Sequence, residues 1–170
     1  GPTRVGVEST VLDLSTGTPV ILRPGAVTKQ MIEDVIGSID VNHHKVGKHE
    51  IPKAPGMKYK HYAPNAQVYV VDPGTDWSKV VDWIKKQPFD VGMMARGEVL
   101  KNQVLPMNAI QYSLGDNVKD ASARLFDGLR GFDDQVNVKA IVCEAFPAKG
   151  LGAAYMNRLN KSAGGVHFKA

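Results

Sequence analysis

An α/β fold with a mostly parallel sheet and flanking helices is what this sequence predicts, and three observations predict it. From residue 67 onward, short β-rich runs alternate with helical patterns, the signature of βαβ units. The chain opens on a separate β-rich segment that reads as a hairpin followed by one helix. At 170 residues with 43% hydrophobic content, it is long and apolar enough for a real core.

Residues 1 to about 40 form the first zone. Val5, Val7, Thr10 and Val11 mark a strand through Leu14, with the alternation broken at Glu8-Ser9-Thr10. Ser15-Thr16-Gly17-Thr18 is a turn, and Pro19-Val20-Ile21-Leu22-Arg23 a second strand, stopped by Pro24-Gly25. Thr28 can cap a helix whose apolar face is Met31, Ile32, Val35 and Ile36, with Gly37 as terminator. A piece this short rarely folds alone. Either it packs on the rest of the chain, or it is the tail of a domain whose beginning is absent. In the second case it is expected to be disordered, or held by a neighbouring chain through the strand edge. The opening Gly1-Pro2 fits a natural start and a protease scar equally.

Residues 41–66 are the second zone, a basic linker. Between His43 and His61 stand Lys45, Lys48, Lys53, Lys58 and Lys60 with four of the five histidines, opposed only by Glu50. Such a run suits an anionic partner (phosphate, nucleotide or RNA) or a linker extended by self-repulsion. Within it, Ala54-Pro55-Gly56-Met57-Lys58-Tyr59-Lys60-His61-Tyr62-Ala63-Pro64 is too irregular for helix or strand. It offers cations, ring faces and hydroxyls, as a loop closing over a flat anion would. The histidines lack cysteine partners at zinc-finger spacing, so no metal site is expected there.

The third zone, 67–170, carries the main fold. Gln67–Val71 is a strand, Asp72-Pro73-Gly74 a turn, and Asp76–Lys86 a helix burying Val80, Val81, Ile84 and one or both of Trp77 and Trp83. Strands follow at Phe89–Ala95 and Ala109–Tyr112. Asp116 or Asn117 caps a helix through Arg130 that turns Val118, Ala121, Leu125, Phe126 and Leu129 inward. Val138–Cys143 is another strand, and a last helix runs from Leu151 to about Asn160.

No apolar run approaches the roughly 20 residues of a bilayer span, and no cleavable signal is visible, so a soluble, cytoplasmic protein is expected. Cys143, the one cysteine, lies in an apolar run and reads as a buried, inert thiol. Nucleotide motifs are thin: Asp72-Pro73-Gly74-Thr75 lacks the glycine fingerprint and the phosphate-loop lysine. Gly150-Leu151-Gly152 could hold an anion at a helix start or serve close packing. Ser9 and Thr10 either bond neighbouring strands or point into a cleft. Arg23, at a strand end fixed by Pro24, can present its planar fork to a phosphate or make a surface ion pair.

Taken in order and spacing, Val7-Glu8-Ser9-Thr10-Val11, Ile21-Leu22-Arg23-Pro24-Gly25 and the 54–64 segment resemble the two-domain threonylcarbamoyl-AMP synthase family. Gly150-Leu151-Gly152-Ala153-Ala154 and Asn157-Arg158-Leu159 resemble the end of its second domain. The resemblance implies a YrdC-like catalytic domain joined by a linker to a smaller Rossmann-like domain. Residues 1–40 would then be the tail of a truncated catalytic domain, 41–66 a linker acting as a lid, and 67–170 the Rossmann-like domain. It further implies synthesis of threonylcarbamoyl-AMP from L-threonine, bicarbonate and ATP with Mg2+, feeding tRNA modification, with tRNA or the modification machinery as a partner. By the same resemblance Ser9 contacts L-threonine, Arg23 and Tyr62 bind ATP, and Lys58 and His61 are lid neighbours. The family's Lys-Arg triphosphate motif has no counterpart here, so this chain alone is expected to be inactive. The rival expectation is a non-catalytic RNA-binding or regulatory docking module.

Overall fold

The computed structural model describes residues 6–41 and 63–169, and within them two sheets form. The larger holds four strands: β4 (Gln67–Val71), β5 (Asp90–Ala95), β6 (Ala109–Ser113) and β7 (Val138–Glu144), in the order β4-β7-β5-β6. Every pairing in it is parallel. Such strands are buried on both faces, and the side-chain alternation sorts them into two cores. Val68, Val70, Met94, Ile141 and Cys143 face one cluster, with residues of α4 (Val118–Asp133) and α5 (Leu151–Ala163). Val71, Val91, Met93, Ala140 and Val142 face the other, with Val80 and Ile84 of α2 (Trp77–Lys85). Trp77, Val81 and Trp83 pack on that second cluster only in part.

Caps follow the chemistry read from the sequence. Asp76 accepts from the Ser78 N–H at α2, and Asn117, not Asp116, caps α4 by accepting from Lys119 and Asp120 N–H. The last helix runs three residues past Asn160, to Ala163, and ends at Gly164 in the left-handed region. A five-residue helix, α3 (Gly97–Lys101), between β5 and β6 has no counterpart among the sequence expectations. Beyond α5 the chain returns to β4. Val70 N–H donates to Val166 C=O at 3.0 Å, and Phe168 N–H to Val70 C=O at 2.8 Å. Cys143 is buried as expected, its thiol pushed up to about 12 by burial despite a hydrogen-bond contact with Tyr155.

The smaller sheet is β1 (Val11–Asp13), β2 (Val20–Arg23) and β3 (Asp40–Val41). The β1–β2 hairpin is antiparallel, and β3 joins β2 in parallel. Helix α1 (Lys29–Ile36) is capped by Thr28, whose Oγ1 accepts from Met31 N–H, and closes at Gly37 with φ 82°.

One expectation for this zone is corrected. The first strand is three residues long, because Glu8-Ser9-Thr10 spends its polar groups on contacts outside the ladder. The apolar stripe of α1 faces outward: no α1 residue is buried, and Val35 is 82% exposed. The described residues of this zone rest on α4 and α5 of the same molecule. Gly6, at φ 68°, approaches α4 so closely that a Cβ there would overlap the backbone of Ser122 and Ala123. No helix among the described residues is long and apolar enough to cross a membrane.

Candidate functional site

The groups with binding chemistry gather at the seam between the two sheets. Arg23 ends β2, and its guanidinium turns back on residue 9. Nε and Nη2 donate to the Ser9 carbonyl at 3.2 and 3.0 Å, and Nη2 also reaches Ser9 Oγ at 3.3 Å. The sequence alternatives for Ser9 and Thr10 thus resolve differently. Thr10 Oγ1 donates to the Val27 carbonyl at 2.6 Å, a fixture of the fold. Ser9 Oγ stands beside a cation, where a ligand with both donor and acceptor atoms could be met.

Gly25 makes this arrangement possible. A Cβ there would overlap the backbone of Glu8, Ser9 and Thr10, so the strand end and the 8–10 segment approach as only glycine permits. The pair is thereby held at main-chain contact distance.

The other side of the seam belongs to α5. Arg158, only 4% exposed, donates from Nε to the Glu8 carboxylate and from Nη1 to the Pro24 carbonyl at 2.6 Å. Burial alone would raise the pKa of Glu8. The Arg158 charge and hydrogen bond, a backbone hydrogen bond and the Arg23 charge outweigh it and hold the carboxyl below its usual range. Lys161 lies in the same field. Burial and the charges of Arg158 and Arg23 lower its pKa, while Glu8 works against them. Three cations around one carboxylate leave the seam electropositive, an environment for an anionic group.

Sequence reasoning singled out Ser9 and Arg23, and the structure brings these two together. Lys58, His61 and Tyr62 lie outside the described residues. Arg158 and Lys161 were missed as parts of the seam. Their signal was available: Asn157, Arg158 and Lys161 interrupt a helix whose Ala154, Tyr155 and Leu159 are fully buried. The Gly150-Leu151-Gly152 alternatives resolve toward packing for Gly152, where a Cβ would run into the Pro147 carbonyl. Among the described residues, no group of three or more His, Cys, Asp or Glu stands close enough to hold a metal ion.

A parallel α/β unit carrying a small mixed sheet on two of its helices, with a basic seam between, is the class of protein the fold defines. The chain belongs to the family described as threonylcarbamoyl-AMP synthase, C-terminal domain, whose model matches residues 27–164. That match takes in α1 and the whole parallel sheet and leaves Ser9 and Arg23 outside.

Relatives extend the similarity over nearly the full chain. Threonylcarbamoyl-AMP synthase of Pyrococcus abyssi is 41% identical over 170 residues, covering 96% of this chain and 48% of the relative. That of Bacillus subtilis is 40% identical over 169 residues, covering 97% and 47%. The crystal structure of P. abyssi Sua5 complexed with L-threonine superposes with a TM-score of 0.83 at 38% identity, covering 99% of this chain and 49% of that one. The chain therefore spans about half the length of the relatives it matches.

Proposed function

We propose that this chain is the C-terminal part of an L-threonylcarbamoyladenylate synthase. L-threonine, bicarbonate and ATP would give threonylcarbamoyl-AMP, pyrophosphate and water, and the adenylate would feed the modification of a tRNA adenosine. The observation that carries this reading is the Arg23 guanidinium locked on the Ser9 carbonyl with the Ser9 hydroxyl beside it. The names of the relatives and the threonine-bound structural neighbour support it.

In this reading residues 1–40 belong to the tail of a YrdC-like catalytic domain, the 41–66 segment is a linker and lid, and 67–170 is a Rossmann-like domain. Ser9 meets L-threonine, and Arg23 faces the ATP phosphates. Adenylyl transfer gathers charge on phosphate oxygens, and a cation already held in place stabilises that charge without reorganising. Tyr62 contacts the nucleotide, and Lys58 and His61 flank it in the lid, where excluding water protects the reactive adenylate. Mg2+ would enter with ATP, bound to its phosphates.

A pyrophosphate-release assay dependent on both threonine and bicarbonate tests the reading. The 170-residue chain alone is expected to stay silent, and the full chain encoded by its gene to turn over. Turnover by the short chain would overturn the assigned incompleteness. Silence from the full chain would overturn the synthase reading itself, and salt-sensitive tRNA binding would then favour an RNA-binding module.

A further inference from the structure

Of the residues assigned to substrate, Arg23 ends β2 and Ser9 lies just before β1, yet what brackets them comes from α5 of the parallel unit. Arg158 donates to Glu8, the residue before Ser9, and to the carbonyl of Pro24, the residue after Arg23. We infer that Arg158 is a positioning residue for the Ser9–Arg23 pair, fixing from α5 the separation between the 8–10 segment and the end of β2. This rests on the synthase reading above and gives the parallel-sheet unit a part in it.

The chemistry suits that task. A guanidinium is planar, so its Nε and Nη1 donors hold two acceptors in one fixed relation, which a lysine ammonium does not impose. The two acceptors sit on different segments, so one side chain sets the spacing between them. The group is buried among its partners, which makes loosening either contact costly. Two glycines keep the geometry tight: Gly25 allows the 8–10 backbone to touch the strand end, and Gly6 seats the approach to residue 8 on α4. Thr10, tied to the Val27 carbonyl, closes the segment on its far side. Ser9 is thus confined from both neighbours, with its hydroxyl held 3.3 Å from Arg23 Nη2.

Arg158→Met, Arg158→Lys and Glu8→Gln in the full chain encoded by its gene test the role. For pyrophosphate release, Arg158→Met should raise KM for L-threonine and ATP about tenfold or more while kcat changes less than about threefold, as expected when ground-state positioning is lost. Arg158→Lys should recover part of that loss, and Glu8→Gln should cost about threefold in KM, because it keeps the shape and loses the charge. Amide exchange at residues 8–10 and 21–25 should quicken in Arg158→Met while residues 138–144 keep their protection.

A folded Arg158→Met with both KM values within about twofold of the parent, and only its melting temperature lowered, would overturn the inference. Should that variant not fold, Glu8→Gln decides by the same comparison. If the unsubstituted full chain shows no turnover, the synthase reading fails on its own. The inference is then judged by exchange at Ser9 and Arg23, and unchanged exchange there refutes it.

Discussion

The two sheets of this molecule use apolar residues in opposite ways. In the parallel unit the strands bury both faces, and Tyr155, Ile84, Met93 and Leu159 are completely inaccessible. In the region of the small sheet and α1, Ile21 and Ile39 are the buried hydrophobic residues among those described, while Leu14, Val27, Met31, Val35 and Ile36 face outward. The first region is built around its own cores. The second keeps its shape through a hairpin, a helix cap and contacts borrowed from α4 and α5. Stability and binding chemistry are therefore divided. The self-sufficient region supports, and the dependent one carries Ser9 and Arg23.

The largest expected effect lies in the self-sufficient region. Leu159→Ala removes a fully buried side chain from the α4/α5 core and should cost about 3 to 4 kcal/mol, read by urea unfolding. A loss below about 1 kcal/mol would mean that this core repacks freely.

An intermediate effect belongs to the seam. Glu8 has its pKa lowered in the folded chain, so its stabilising contribution is fully present above the ordinary glutamate value of about 4.3. It is lost as pH falls through the lower folded value. On acid titration followed by NMR, residues 6–25 should loosen before the parallel sheet, and Glu8→Gln should remove that early step. Simultaneous loss of both regions would erase the contrast.

The smallest effect is expected on α1, where Val35→Ala should change stability by less than about 0.5 kcal/mol. A substantially larger loss would show that the outward stripe of α1 packs against something in solution.

The same contrast explains what could be read in the sequence. Strands β4, β5 and β7 and helices α2 and α4 announce themselves because each carries its own periodicity and cap, a local property. The order β4-β7-β5-β6 has no local signature, since it depends on which strands meet after long excursions. Helix α3 has five residues and β3 two, too few for a period to repeat. The α1 stripe reads as an apolar face, because a pattern reports amphipathicity and not what lies opposite. Ser9 and Arg23 were legible as strand-end residues and through the resemblance. Arg158 was legible only as a polar interruption of an apolar helix face; its partners Glu8 and Pro24 lie far along the chain and leave no local signal.

Glu8 and Arg158 are 150 positions apart, so the second is synthesised well after the first. At translation speeds of about 5 to 20 residues per second, the later residue follows the earlier by roughly 8 to 30 seconds. Throughout that interval the hairpin is made while the helix that braces it does not exist. A ribosome-bound chain therefore holds an incomplete seam until nearly all of the parallel sheet has emerged, and α5 acts as the last signature on the assembly.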